Sequence, residues 1–179
     1  MYIPEEFEKM FAVPEDCPKY DKDKPDYRCI ANSPYRRKKA LEQFTKKICS
    51  VELIIEHTLE FLKTIGIDSL CIKCRLNEID YTKIKQEHQL NSEGHIVWMK
   101  FIKSGHLGVV AAGKDVNFGY EKSSGKLIAS INKEWDKSFV LLFPLQNITD
   151  DDRHKIERGI GNYLISKEVP IIDYYSHNM

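Results

Sequence analysis

The 179-residue chain lacks a net charge of either sign, since 27 Lys and Arg stand against 27 Asp and Glu. A domain that coats nucleic acid in bulk is ordinarily strongly basic, so this balance leaves room only for a local basic patch. Long apolar runs are also missing. Phe139 to Leu145 is among the longest, whereas crossing a bilayer takes about 20 residues. The start, Met-Tyr-Ile-Pro-Glu-Glu, has no basic segment with an apolar stretch behind it, so no signal peptide is expected. Cysteines number only five: Cys17, Cys29, Cys49, Cys71 and Cys74. An odd count without a secretion signal predicts free thiols in the cytoplasm rather than a disulfide framework. Arginine is scarce, 6 against 21 Lys. With frequent Ile, that bias reads as A/T-rich coding and points to a low-GC bacterium or one of its phages.

What is present is ordinary globular composition, 42% apolar and 30% charged, at a length that suits one domain. A chain of this size buries about 70% of its unfolded surface, enough to fold without a metal or disulfide staple. The reading is therefore a single domain over 1–179, with residues 1–32 as an irregular arm that Tyr20 and Tyr27 help to pin. Pro4 opens a short helix over 4–11. Ser33-Pro34 supplies a hydroxyl cap followed by proline at the first helical position. Behind it Leu41, Phe44, Ile48, Val51, Ile55, Thr58, Leu62 and Ile65 recur at three- and four-residue spacing. That spacing predicts one long helix over 34–65, with Ser50 as the place where it would break and Gly66 as its stop.

From residue 67 the period shortens to two, and Leu70, Ile72, Cys74 and Leu76 predict a half-buried strand. Residues 80–91 read as a polar helix capped by Asp80, or as a long loop. His95–Ile102, Leu107–Ala112 and Ser138–Leu145 read as strands, the last of them central. Val116–Glu121 and Lys126–Ile131 read as a hairpin around Ser123-Ser124-Gly125. Thr149 caps a helix over 150–166 whose first turn carries Asp150, Asp151 and Asp152, where the helix dipole favours acids. Pro170–Tyr175 closes the chain as a short strand. The expected class is α+β: a mainly antiparallel sheet of about five to seven strands, one face covered by the two long helices.

Chemistry-bearing patterns are sparse. There is no G-x-S-x-G elbow, no H-E-x-x-H, and no complete phosphate loop, because Asp115 follows Gly113-Lys114 where a hydroxyl is required. Cys71-Ile-Lys-Cys74 has the spacing of a zinc or redox pair. Within a strand, however, residues three apart point to opposite faces, so no metal site is expected there. Arg36, Arg37, Lys38 and Lys39 crowd a helix start whose dipole they oppose, and a helix start also exposes N–H donors that suit anions. Together with Tyr20 and Tyr27 they form the expected partner-binding surface.

Gly159-Ile-Gly161-Asn-Tyr-Leu resembles the glycine-rich turn of the GNAT acetyltransferases. That resemblance implies a cradle for the pyrophosphate of acetyl-CoA at Gly159 and Gly161. Ile156 stands where that family has Arg or Gln, and the glycines fall inside the predicted helix rather than at its start. The leading expectation is thus a non-catalytic module, needing no cofactor, that occupies a macromolecular partner with an acidic surface, as inhibitory or regulatory proteins do. A small enzyme using a phosphate-bearing cofactor, acyltransferase-like, and a nucleic-acid-binding protein are the alternatives.

Overall fold

The computed structural model describes residues 1–14, 23, 33–75, 78–89, 94–114 and 123–174. Cys17, Tyr20, Tyr27, Cys29, the expected strand Val116–Glu121, Tyr175 and His177 lie outside the described residues. In chain order the elements are a 3-10 helix Glu5–Phe11, α1 Pro34–Phe44, α2 Val51–Thr64, β1 Ile72–Cys74, α3 Tyr81–Glu87, β2 His95–Ile102, β3 Leu107–Gly113, α4 Ser123–Ser130, β4 Trp135–Leu145 and α5 Asp150–Ser166. The class is α+β, with one antiparallel sheet of four strands among the described residues, in the order β1-β4-β2-β3. This is fewer than the five to seven expected.

Side-chain caps fix where four helices begin. Ser33 Oγ accepts from the Arg36 N–H at 3.2 Å, Ser50 Oγ from Leu53 at 3.2 Å, Asp80 Oδ1 from Lys83 at 3.0 Å and Thr149 Oγ1 from Asp152 at 3.2 Å. Each satisfies an N–H that the first turn would otherwise leave without a partner. The expected helix over 34–65 is consequently two helices, because Ser50 starts a new one. Residues 45–50 wrap the β2–β3 turn. His106 Nε2 lies 3.3 Å from the Lys46 carbonyl, Phe44 stacks on the His106 ring at 4.6 Å, and a Cβ on Gly105 would sit 3.6 Å from Ile48. Leu41 and Ile48, counted into one continuous stripe, are half exposed.

That wrap sends α1 and α2 to opposite faces of the sheet, so only the α2 part of the expected helix over 34–65 shares a face with the helix over 150–166. Val97, Met99 and Phe101 of β2, with Leu141, Phe143 and Leu145 of β4, pack on Phe61 and Leu62 of α2 and on Ile156 and Ile160 of α5. The alternate strand residues face the other way, as the pleat requires. There Ile102 and Val109 meet Ala40 of α1 and Leu127 and Ile128 of α4. Further along the same face, Ile96, Trp98, Val140 and Leu142 meet Ile84 of α3.

Lys126–Ile131, expected as a strand, belongs largely to α4. Leu127, Ile128 and Ile131 are buried together, and their spacing of one and then three is helical rather than alternating. Ser138–Leu145 is central as expected, although its strand starts earlier, at Trp135. The last expected strand reduces to one parallel bridge, Ile171 against Leu107. Among the described residues, no helix is long and apolar enough to cross a membrane.

Candidate functional site

The basic helix start divides between interior and surface. Arg36 is 2% exposed. Its Nη2 donates to Asp173 Oδ2 at 2.6 Å and its Nη1 to Ser123 Oγ at 3.1 Å, while Ser124 Oγ donates to the same Asp173 oxygen at 2.5 Å. Arg36 is therefore not available to a partner, contrary to the expectation that placed it on the contact surface. The reason is positional. Arg36, Ala40 and Phe44 recur every four residues on the side of α1 that faces the sheet. A guanidinium taken out of water at that position needs a carboxylate to compensate its lost hydration, and Asp173 supplies one.

Arg37 is partly exposed and Lys38 is exposed. Lys39 is half-buried, 3.7 Å from Glu42 and 5.8 Å from the centre of the Tyr35 ring. Beside them Leu41 is 49% exposed. Pro34, Arg37, Lys38, Leu41, Glu42 and Thr45 line an open concavity of about 600 Å³. Of the expected contact residues, α1 thus presents three at or near one surface, turns one inward, and leaves Tyr20 and Tyr27 outside the described residues.

A second basic cluster had no signature in the sequence. Lys103, Lys126, Lys133 and Lys137 surround a cleft of about 680 Å³ over Ile128 and Trp135, with Glu134 as its carboxylate. Glu134 pairs with Lys103. Each shifts the other as a charge partner should: the Lys103 ammonium is raised and the Glu134 carboxyl lowered. The four lysines come from the turn after β2, from α4, from the turn after α4 and from β4. No local spacing could have announced them.

The glycines lie within α5 and not at its start. A Cβ on Gly159 would come within 2.6 Å of Phe61 Cζ and 3.0 Å of Phe11 Cε1. Phenylalanine rings therefore fill the space beside Gly159, which favours helix packing over a cofactor cradle. Gly108 and Gly113-Lys114 have the glycine spacing of a phosphate loop, but Gly108 and Gly113 belong to extended strand β3. A Cβ on Gly108 would meet Trp135 at 2.3 Å. Cys71 packs beside the α2–α5 side of the core and Cys74 beside the α3 side, the divergence that strand alternation predicts. Burial pushes the Cys71 thiol up to about 11, with Cys74 adding to the rise. Cys71 is therefore a protonated, poorly nucleophilic thiol at neutral pH.

One further polar arrangement sits at the outer strand. Arg153 and Glu157, one turn apart on α5, grip the Ala112 backbone. Arg153 Nη1 donates to the Ala112 carbonyl at 2.8 Å, and Glu157 accepts from the Ala112 N–H at 2.8 Å. Burial pushes the Glu157 carboxyl up to about 7, opposed by the Ala112 N–H and by Arg153 and Arg158. Comparison of the chain with protein-family models, with curated proteins and with solved structures gives no match.

Proposed function

We propose that the chain is a non-catalytic binding module that occupies a macromolecular partner through an acidic surface on that partner, in the manner of an inhibitory or regulatory protein. The observation that carries this reading is the outer face of α1. Arg37 and Lys38 flank the half-exposed Leu41 around an open concavity. An apolar side chain flanked by two cations suits an acidic protein surface, where the apolar contact supplies affinity and the charges supply rate and orientation. A protein partner is favoured over nucleic acid because the chain as a whole carries no net positive charge.

The test is double charge reversal, Arg37→Glu with Lys38→Glu, which spares the buried Arg36. A partner recovered from native extract and identified by mass is titrated against wild type and variant. Association with the wild type should slow steeply as salt rises. The variant should associate at least tenfold more slowly and lose most of that salt dependence. Equal rates for the two proteins would refute the proposed surface.

A further inference from the structure

The N-terminal segment is held to α5 in the way a bound peptide is held. Asn162 Nδ2 donates to the Met10 carbonyl at 2.7 Å and to the Ala12 carbonyl at 2.9 Å, and Arg158 Nη1 donates to the Phe11 carbonyl at 3.3 Å. Asn162 Oδ1 accepts from the Tyr174 hydroxyl. That bond fixes which way the amide points and leaves both of its N–H groups for the segment. Gly159, on the same side of the helix, lacks the Cβ that would stand 3.0 Å from Phe11 Cε1. Two phenylalanines use the room. The Phe11 ring centre lies 5.7 Å from that of Phe61, and Phe7 stacks on Tyr163 at 5.5 Å.

The segment has little with which to hold this shape by itself. Glu5–Phe11 is a 3-10 helix of seven residues, with no side-chain cap and no buried residue. Runs of that kind beyond three or four residues are uncommon, because their hydrogen bonds are poorly aligned, and so short a helix is marginal in water. The conformation is therefore imposed by α5. What α5 contacts is equally limited: three main-chain carbonyls and two rings four residues apart. Glu5, Glu6, Glu8 and Lys9 are exposed.

We infer that α5 and Phe61 form a peptide-binding groove, that residues 1–12 are its intramolecular ligand, and that a partner segment with two phenylalanines four residues apart takes the groove by displacing them. Contacts to carbonyls serve any chain lying there, and the anchor spacing supplies selectivity. A ligand on the same chain competes at an effective concentration that reaches roughly millimolar. The groove is thus closed to weak competitors and yields to a segment that binds α5 more tightly. It lies on the face of the sheet opposite α1, so it does not rest on the α1 surface.

The experiment uses the full chain and a fluorescein-labelled synthetic peptide of residues 1–13, read by anisotropy. Phe7→Asp with Phe11→Asp in the full chain frees the groove without altering its walls. The freed chain should bind the peptide at least tenfold more tightly than wild type, whose own segment competes. A peptide carrying Phe7→Ala and Phe11→Ala should bind at least tenfold more weakly. Asn162→Asp in the freed chain keeps the acceptor for Tyr174, removes both donors, and should cost a similar factor. The Arg37→Glu, Lys38→Glu protein should bind the peptide as wild type does. Hydrogen exchange of the wild-type chain needs no substitution: the Phe7 and Ala12 amides should exchange at least tenfold faster than those of β2, as a unit that opens alone. The proposal is overturned if freed and wild-type chains bind the peptide equally or not at all, or if the alanine peptide binds as the native one does. It is also overturned if Phe7 and Ala12 exchange no faster than β2, or if the freed chain no longer unfolds cooperatively in urea, which would make the segment part of the core.

Discussion

Replacing Arg36 with methionine keeps most of the stem volume and removes only the charged head. Asp173 is 2% exposed, and the substitution removes its 2.6 Å guanidinium partner while the Ser124 hydroxyl stays among its donors. Removing one member of a buried ion pair typically costs about 3–5 kcal/mol, because the other charge stays buried without compensation. Domains of this kind are stable by only about 5–15 kcal/mol, so the loss consumes a large share of the total. With a urea slope of roughly 2 kcal/mol per molar, the unfolding midpoint should fall by about 2 M. Arg36→Met combined with Asp173→Leu should recover most of that loss, since apolar replacement of both partners is often neutral or better. The assay is urea unfolding of the four proteins of this cycle at neutral pH. A loss below about 1 kcal/mol for Arg36→Met is what an exposed surface pair would give. That result would refute the claim that Arg36 is a structural residue.

Two further outcomes are expected. Glu157 ionises near 7 in the folded protein against an ordinary 4.5, so the folded state holds a proton that the unfolded state releases across that interval. The stability linked to this group is complete below about 4.5 and is lost as pH rises through about 7. At 1.36 kcal/mol per tenfold, the span amounts to roughly 3 kcal/mol. Urea midpoints at pH 5 and pH 8 should therefore differ more for wild type than for Glu157→Gln, which keeps an acceptor for Ala112 without titrating; identical pH slopes would sink the assignment. Gly159→Ala should lower the melting temperature although alanine is the better helix former by about 1 kcal/mol. Its methyl would meet Phe61 at 2.6 Å, and overpacking costs about 1–3 kcal/mol. A stabilised variant would mean that the rings beside Gly159 yield easily.

The features legible in the sequence were those with local causes. Caps at Ser33, Asp80 and Thr149 mark the helix starts at or next to the observed positions, because a cap acts over three residues. The strand His95–Ile102 and the helix over 150–166 were likewise readable from hydroxyls, charges and periodicity. The rest depends on distant pairs. The three-four spacing runs unbroken through residues 45–50, and only the β2–β3 turn against Lys46 and Ile48 reveals that the chain bends there. Ser123-Ser124-Gly125 has turn composition yet starts α4, so the buried trio Leu127, Ile128 and Ile131 was the better signal. Arg36 could have been assigned to the interior from its four-residue spacing with Ala40 and Phe44. Its carboxylate, 137 positions away, could not have been found that way. The lysine cleft is the extreme case, since its members meet only after the sheet and α4 are in place.

The grip of α5 on Ala112 bears on how the protein keeps to itself. Among the described residues β3 is the outermost strand on its side, and an outermost strand is a template on which another chain can lay itself. Here Arg153 and Glu157 occupy the Ala112 carbonyl and amide. The amides of Ile172 and Asp173 occupy the Leu107 and Gly108 carbonyls. An incoming strand would first have to pry α5 and the chain after it off both ends of β3. The opposite margin, β1, offers only the three residues Ile72–Cys74, too short a seam for stable stitching. The fold thus resists fibrillar growth at each border by a different device, occupation on one and brevity on the other.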